Sequence, residues 1–155
     1  MKPLLTIGIP MYNAEETIIR AIDSIPKRND IEILIVDDGS TDNSYEKAKV
    51  YQEISNRNIC VLSNFQNEGV GYTVNRIIEN ASGEYLVLLG SDDYLLKPFE
   101  LIYELLKEDT EKKYDLIYFD LEDNGNHIYN VSEETKKYYC GSVKAMRMKF
   151  IGDTR

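Results

Sequence analysis

The chain has 155 residues, of which 43% are hydrophobic and 29% are charged, and its formal net charge is -9. The length fits a single domain with a real core, and no apolar run approaches the roughly 20 residues that a transmembrane helix needs. Such an acidic surface repels nucleic-acid phosphates, which argues against DNA or RNA as a partner. The first residues carry no signal-peptide pattern, so we expect a cytoplasmic location. Cys60 and Cys140 are far apart in the sequence, and we expect both to be free thiols, one of them in a buried strand.

Strand patterns occur at four places in the first part of the chain. Residues 4–10, 31–36, 58–63 and 85–89 are short runs rich in apolar and β-branched side chains, as strands are. Helical patterns follow each of these runs. The alternation predicts an α/β fold with a mostly parallel, Rossmann-like sheet that is flanked by helices on both faces.

The first helical pattern follows residues 4–10. Asn13 with Glu16 three residues later predicts an N-cap with its capping-box partner. Ile18, Ile22 and Ile25 then recur at spacings of four and three, which places them on one face of the helix.

Three more helices are predicted further along the chain. The second spans residues 44–55 and is capped by Asp42 or Asn43. The third ends at Ser82-Gly83, since glycine commonly ends helices, and the fourth opens at Pro98. The predicted buried stripes are Val70, Val74, Ile77, Ile78 and Ala81 in the third helix and Leu101, Ile102, Leu105 and Leu106 in the fourth.

The pattern changes after residue 113. Residues 115–121 and 127–131 flank Asn124-Gly125, which predicts a β-hairpin. Residues 142–150 are weakly amphipathic and basic, and we expect a short helix there. That helix either packs against a further portion of the protein, which we favour, or makes a peripheral contact with a membrane surface at the inner face of the membrane.

Paired acids follow two of the four predicted strands. Asp37-Asp38 comes directly after the second strand, and Asp92-Asp93 lies in the loop after the fourth. In open α/β sheets, ligands bind at the carboxyl ends of the strands, where these loops meet. Hard oxygen ligands favour magnesium or manganese, which share substrate phosphates. We therefore predict Asp92 and Asp93 as metal ligands and Asp37 or Asp38 as a ribose or base contact, although each pair is also ordinary turn and cap chemistry.

Several short segments in this order resemble family 2 glycosyltransferases. The most specific is Val-Asp-Asp-Gly-Ser-Thr-Asp at residues 36–42. The resemblance covers roughly residues 4–100, which corresponds to the donor-binding half of that family. The other matching segments are residues 7–13, Asn67-Glu68-Gly69, Asn75, residues 81–85 and Ser91-Asp92-Asp93.

The resemblance implies a glycosyltransferase A-type fold, of the nucleotide-diphospho-sugar transferase type, and inverting transfer of a sugar from a nucleotide donor. A uridine diphosphate sugar is the expected donor, a saccharide or lipid-linked molecule is the expected acceptor, and Mn²⁺ or Mg²⁺ is the expected cofactor. The loop after the first strand would cup the nucleotide, Asp37 would contact the base and Asp38 would lie near the ribose. The implied donor-binding residues are Pro10, Tyr12, Asn13, Asp37, Asp38, Asn67, Gly69, Asn75, Ser91 and Asp92, and the implied metal ligands are Asp92 and Asp93.

The sequence departs from the family pattern in three respects. Gly90 stands where many relatives begin the metal motif with another aspartate, and Val74 stands where many carry a basic residue before the asparagine that matches Asn75. Relatives also run well beyond 155 residues. We therefore expect a single domain over residues 1–155 that is truncated at its C-terminal end, with a donor-binding core at 1–110 and the start of the acceptor side at 111–155.

No general base is assigned from the sequence. An inverting transfer needs a carboxylate to accept the proton of the acceptor hydroxyl. Glu133 and Glu134 lie in a polar stretch that is typical of a solvated face, and Asp153 is near the end of the chain. None of these has a pattern that indicates catalysis.

Two alternative functions remain open at this point. One is a non-catalytic module that binds a nucleotide sugar. The other is a phospho-acceptor signalling domain, because residues 33–38 resemble the first strand and acidic pair of receiver domains, with Asp92 as the phosphorylated residue. Against the second alternative, a whole strand–helix unit precedes the acidic pair, and the Gly-Ser-Thr-Asp that follows it is foreign to receivers.

Overall fold

The computed structural model describes residues 2–97 and 99–111 in full and the backbone of four short strands at 116–118, 121–123, 126–129 and 144–147. Strands and helices alternate through the fully described part, as predicted. The strands are β1 (Leu5–Met11), β2 (Ile31–Asp37), β3 (Ile59–Ser63) and β4 (Tyr85–Leu88), and the helices are α1 (Ile18–Ser24), α2 (Ser44–Ile54), α3 (Val70–Asn80) and α4 (Phe99–Glu108).

The first four strands form a parallel sheet in the order β3-β2-β1-β4. Thr6 of β1 pairs with Glu32 of β2 on one side and with Leu86 of β4 on the other. The chain therefore builds the sheet outward in one direction from β1 to β3 and then returns to the other side of β1 with β4. This reversal of strand order leaves a crevice at the carboxyl ends of β1 and β4.

Helices cover both faces of the sheet, which confirms the predicted fold class. Within β2, Ile33 and Ile35 belong to the larger core cluster, together with Ile22 of α1. Leu34 and Val36 point to the opposite face and pack with Ile77 of α3. Because every one of these side chains is almost fully buried, both faces of the strand contribute apolar burial, as is usual for parallel sheets.

The prediction of a helix over residues 142–150 is wrong where the structure describes that segment. Residues Lys144–Arg147 form a strand, β8, that pairs antiparallel with β4 on one side and with β5 (Leu116–Tyr118) on the other. The free edge of β4 needs a hydrogen-bonding partner, and a segment far along the chain supplies it. The local sequence pattern carries no information on this pairing between segments that are far apart in the chain.

The hairpin prediction is confirmed around the Asn-Gly pair, with shorter strands. Strands β6 (Leu121–Asp123) and β7 (Asn126–Tyr129) pair antiparallel in a separate two-stranded sheet. The expected long strand over 115–121 is divided, since its first part is β5 of the main sheet. The Asn124-Gly125 pair itself lies outside the described residues.

The predicted capping box of α1 is wrong. The helix begins at Ile18, and Thr17 occupies the N-cap position without a side-chain hydrogen bond that caps the helix. Asn13 instead adopts a left-handed backbone conformation, with φ of 49°, and its Oδ1 accepts a hydrogen bond of 2.9 Å from the backbone N–H of Thr41. The asparagine therefore joins two loops at the crevice instead of starting a helix.

The buried face of α4 also differs from the prediction. Phe99, Tyr103 and Leu106 are buried, whereas Leu101 is 73% exposed and Leu105 is 38% exposed. The helix is rotated so that its two aromatic side chains enter the core, where they bury more area than leucines would. Pro98, predicted to open this helix, lies outside the described residues.

Two smaller expectations are corrected as well. Val70, at the start of the α3 stripe, is 69% exposed, and Thr73 is fully buried in its place. Cys60 lies in β3 but is exposed; Cys140 lies outside the described residues. In the part of the chain that the structure describes, no helix is long and apolar enough to cross a membrane.

Candidate functional site

A cavity of about 540 Å³ opens at the carboxyl ends of the strands between β1 and β4. This is the point where the strand order reverses, and the volume is typical of small-molecule sites. Four separate segments contribute to it, one after each strand. Its lining consists of Pro10, Met11, Tyr12, Asn13, Ala14, Thr17, Asp38, Asn67, Gly69, Val70, Thr73, Gly90, Ser91 and Asp92.

Eight of the sequence-predicted site residues meet at this cavity. They are Pro10, Tyr12, Asn13, Asp38, Asn67, Gly69, Ser91 and Asp92. Asp37, Asn75 and Asp93 are not part of the lining. Asn75 lies exposed on α3, and the surroundings of the other two explain their positions.

Asp37 lies behind the cavity wall, with only 2% of its surface exposed. Its carboxylate accepts hydrogen bonds from the backbone N–H of Ser40 at 3.1 Å and from the Ser40 hydroxyl at 2.5 Å. These bonds close the turn that follows β2. Asp37 therefore shapes the loop, and its neighbour is the acid that reaches the cavity.

Asp38 lines the cavity although it is only 4% exposed. Its Oδ1 accepts hydrogen bonds from Asn64 Nδ2 at 2.6 Å and from the Glu68 N–H at 2.9 Å, and its Oδ2 accepts one from the Gly69 N–H at 2.9 Å. Burial by itself raises the pKa of Asp38, but the hydrogen bonds from Glu68, Asn64, Thr73 and Gly69 outweigh it and hold the pKa below its ordinary value. The side chain is therefore an anion at neutral pH.

Gly39 brings the loop after β2 into backbone contact with the loop after β3. Its φ is +68°, and a Cβ at this position would lie 2.6 Å from the carbonyl carbon of Gln66 and 2.8 Å from the nitrogen of Asn67. Only glycine combines that conformation with so close an approach. The contact places Asn67 and Gly69 beside Asp38 on the cavity wall.

The loop after β1 is held by the same turn. The backbone N–H of Asn13 donates to Ser40 Oγ at 2.9 Å, in addition to the bond between Asn13 Oδ1 and Thr41. The ring of Tyr12 is 45% exposed at the cavity. Its position leaves the ring face open to a flat ligand group such as a nucleobase.

The second acid pair lies in the loop after β4, and Asp92 of this pair lines the cavity. A Cβ on Gly90 would meet Asp93 Oδ2 at 2.6 Å and Asp92 Oδ1 at 3.0 Å, so both carboxylates turn toward the same point above this glycine. Burial, and then the charge of Asp92, raise the pKa of Asp93, while the positive charge of Arg20 partly opposes them. Two carboxylates that face one point favour a cation between them.

Arg20 of α1 holds this acidic loop from the side. Its Nη2 donates to the backbone carbonyl oxygen of Asp92 at 2.6 Å, and its guanidinium lies 5.2 Å from the centre of the Tyr94 ring. Ser24, one turn further along α1, accepts a hydrogen bond from the Leu95 N–H at 2.9 Å. The loop thus has two attachments to α1, and neither occupies a carboxylate of the pair.

The donor set fits a small divalent cation. Asp92 and Asp93 supply hard oxygen ligands, and Mg²⁺ or Mn²⁺ commonly binds through one or two carboxylates together with substrate phosphates and water. Among the residues that the structure describes, no group of three or more His, Cys, Asp or Glu side chains is arranged to hold a metal.

Three polar residues that support the site were not predicted from the sequence. They are Arg20, Asn64 and Arg76. The described lining of the cavity includes no lysine or arginine, so both arginines act through other groups. Asn64 follows β3 directly, and its position at the carboxyl edge was the signal that could have found it.

The chain resembles a known protein family over almost its whole length. The model described as "Glycosyl transferase family 2" matches residues 6–153. Glycosyltransferase GlyG of Streptococcus pneumoniae serotype 4 is 32% identical over 141 residues, covering 90% of this chain and 44% of that protein. The uncharacterized glycosyltransferase EpsJ of Bacillus subtilis is 31% identical over 150 residues, covering 96% of this chain and 40% of that protein. The chain therefore spans less than half the length of these curated relatives.

Solved structures show the same fold at low sequence identity. S. aureus TarS 1-349 in complex with UDP-GlcNAc superposes with a TM-score of 0.81 at 22% identity, covering 99% of this chain and 47% of that chain. Mannosyltransferase PcManGT from Pyrobaculum calidifontis, in complex with GDP-Man and Mn2+, superposes with a TM-score of 0.75 at 16% identity, covering 99% of this chain and 47% of that chain. At these identities the likeness carries the fold alone.

Proposed function

The chain belongs to glycosyl transferase family 2, and from this premise we propose that it binds a nucleotide diphosphate sugar and takes part in metal-dependent, inverting transfer of that sugar. The observation that carries the proposal is the cavity between β1 and β4, which is lined by the buried carboxylate of Asp38 and by Asp92, whose carboxylate converges with that of Asp93 above Gly90. Family membership excludes the alternative of a phospho-acceptor signalling domain.

The nucleoside end of the donor belongs beside Asp38. This carboxylate lines the cavity, and as an acceptor-only group it is placed to bind an N–H or O–H of the ligand. The exposed Tyr12 ring is placed to stack on the base. We therefore assign the nucleoside contact to Asp38, and to Asp37 the task of shaping the turn behind it.

The diphosphate end of the donor belongs beside Asp92 and Asp93, which would hold Mn²⁺ or Mg²⁺. A metal at this place would neutralise the charge that develops on the departing diphosphate. The Mn²⁺ in the PcManGT complex supports a metal in this fold. The UDP-GlcNAc bound to TarS supports a uridine donor.

Inversion follows from a single displacement at the sugar. The acceptor hydroxyl oxygen forms a bond to the anomeric carbon as the bond to the diphosphate oxygen breaks, and a base takes the hydroxyl proton. The acceptor would be a saccharide or a lipid-linked molecule. We assign the base to none of the residues 2–97 and 99–111.

Three expectations from the sequence remain predictions. They are the division of the chain at residue 110, a cytoplasmic location, and a membrane contact by residues 142–150.

Calorimetric titration tests the donor site. The purified chain is titrated with uridine diphosphate and with guanosine diphosphate, each with and without Mn²⁺. We expect saturable binding of uridine diphosphate that needs Mn²⁺ and is lost in Asp93→Ala. Glu53→Ala is the matched control, since Glu53 is an exposed acid near the C-terminal end of α2, away from the carboxyl edge of the sheet.

Either of two results would contradict the proposal. Folded protein that binds neither nucleotide contradicts the donor site itself. Binding that is equally strong without Mn²⁺ contradicts the metal role of Asp92 and Asp93. Preference for guanosine diphosphate would replace the uridine assignment only.

A further inference from the structure

A row of buried polar groups connects α3 to the cavity wall. Asp38, Asn64 and Thr73 are 4%, 5% and 0% exposed, respectively. Asn64 Nδ2 donates to Asp38 Oδ1 at 2.6 Å and to Thr73 Oγ1 at 3.1 Å. Arg76 of α3 completes the row on the side away from the cavity. Buried polar groups of this kind are costly unless each has a partner.

Arg76 determines which way the amide of Asn64 points. Arg76 Nη1 donates to Asn64 Oδ1 and, at 2.8 Å, to the backbone carbonyl oxygen of Ser63. A guanidinium has donors only, so it can bind the oxygen end of the amide and not the nitrogen end. The Nδ2 group is therefore directed at Asp38. In the flipped amide, Oδ1 would face the carboxylate and Nδ2 would face the guanidinium, and both contacts would be repulsive.

The carboxylate of Asp38 links the oriented amide of Asn64 to the loop that lines the cavity. The same carboxylate that accepts the Asn64 amide also accepts the N–H groups of Glu68 and Gly69, both at 2.9 Å. Gly69 lines the cavity, as does Asn67 two residues before it. A loss of orientation at Asn64 would therefore loosen Asp38 and the backbone of this loop together.

The position of Arg76 differs from that of the basic residue expected in the family pattern. That residue would stand at position 74, where this chain has a half-buried valine, outside the described lining of the cavity. Arg76 reaches the site through Asn64, which in turn donates to Asp38 and Thr73 of the cavity lining. The sequence thus supplies a cation that is two side chains removed from the cavity.

We propose that Arg76 is a positioning residue for the nucleotide site, and that it holds Asp38 and the loop at residues 66–69 in the binding arrangement by orienting the amide of Asn64. The inference rests on the proposed function for its consequence, which is nucleotide affinity. It goes beyond that function because Arg76 is not part of the described lining of the cavity. The bracing itself is independent of any nucleotide.

The first test compares three variants by calorimetry with uridine diphosphate and Mn²⁺. Arg76→Met removes both donors, and we expect the dissociation constant to rise about tenfold, or about 1.4 kcal/mol. Arg76→Lys keeps a donor for Asn64 and should restore most of the affinity. Arg57→Met is the matched control, because Arg57 is equally half-buried and donates to the carbonyl oxygens of Ile22, Ile25 and Pro26, away from the cavity. It should lower stability and leave affinity unchanged.

The second test needs no nucleotide. Hydrogen exchange by nuclear magnetic resonance reports on the N–H groups of Glu68 and Gly69, which donate to Asp38. We expect both to exchange faster in Arg76→Met than in Arg57→Met or the unaltered chain. Equal exchange in the two methionine variants would overturn the proposal. If the unaltered chain binds no uridine diphosphate while exchange still rises only in Arg76→Met, the bracing is upheld and the donor-binding function fails.

Discussion

The same dipeptide, Asp-Asp, occurs twice at the carboxyl edge of this sheet and meets two opposite environments. Asp37 and Asp38 are buried, and together they accept five hydrogen bonds from the loops around them. Asp92 and Asp93 are exposed, and within the fully described ranges no donor is bonded to either carboxylate. The pKa of Asp38 is lowered, whereas the pKa of Asp93 is raised.

The two acid pairs therefore have different roles: the charge of the first stabilises the fold, and the charge of the second is available to bind a cation. Hydrogen-bond donors compensate the charge of Asp38 inside the protein, so this charge stabilises the folded loops. No donor among the fully described residues compensates the charge of either Asp92 or Asp93, and partial burial and the charge of Asp92 raise the pKa of Asp93. A pair in that state gains most from an external cation. Removing the first pair should therefore cost stability as well as nucleotide binding, and removing the second should cost binding with little change in stability.

The largest loss of stability is expected at Gly39, where the loop that carries Asp37 and Asp38 contacts the loop after β3. Gly39→Ala would place a side chain at φ of +68° and 2.6 Å from the backbone of Gln66, so we expect a loss of about 3–4 kcal/mol in unfolding free energy. Urea unfolding measures it. Uridine diphosphate binding should be lost as well.

Gly83→Ala is the control for this substitution. A Cβ at Gly83 would lie 2.5 Å from the nitrogen of Thr6, next to the start of β1 and therefore at the opposite edge of the sheet. It should also destabilise the protein and leave nucleotide affinity intact at a temperature where the variant is folded. Equal loss of affinity in both variants would show that the cavity does not depend on the contact between the two loops.

Much of this architecture was predictable because the strands and helices depend on the local sequence pattern. The runs that form β1 to β4 and the helices between them show their period in the sequence, and so the acid pairs could be placed at one edge. The distinction between the pairs was not visible, because it depends on Asn64, Glu68 and Gly69, which come from the loop after a different strand. The expectation that Asp37 contacts the base came from the family resemblance, and sequence order alone does not tell which of two adjacent acids lines the cavity.

The errors have the same cause. Asn13 has the residue type and spacing of an N-cap, but its partner is Thr41, in the loop after β2. Residues 144–147 satisfy a helical pattern weakly, and the open edge of β4 makes them a strand. In each case a tertiary partner overrode a local preference.

A smaller effect is expected when ligand stabilises the exposed pair. Mn²⁺ with uridine diphosphate, at about 100 times the dissociation constant, should raise the unfolding free energy of the unaltered chain by about 2.7 kcal/mol. Asp93→Asn should lose this gain, since an amide is a poorer metal ligand than a carboxylate. Urea unfolding with and without the ligands gives the difference, and a gain that survives in Asp93→Asn would place the metal elsewhere.

The smallest expected effect is the change in stability that Asp38 causes as the pH falls. The pKa of Asp38 is lower in the folded protein than in the unfolded chain, so the unfolded chain binds more protons as the pH falls below the ordinary aspartate value of about 3.9. The contribution of Asp38 is therefore complete above that pH and is lost as the pH falls through the folded pKa. Asp38→Asn should flatten this part of the stability profile measured by urea unfolding between pH 6 and pH 3, whereas Glu53→Gln should leave it unchanged.

The difference between the two acid pairs is tested most directly by the unfolding free energies of Asp38→Asn and Asp93→Asn, measured side by side in urea without metal or nucleotide at neutral pH. For Asp38→Asn we predict a loss of about 2–3 kcal/mol, because an amide leaves buried donors without an acceptor. For Asp93→Asn we predict a change within about 0.5 kcal/mol, as for an ordinary surface position. Equal losses in the two variants would contradict the account.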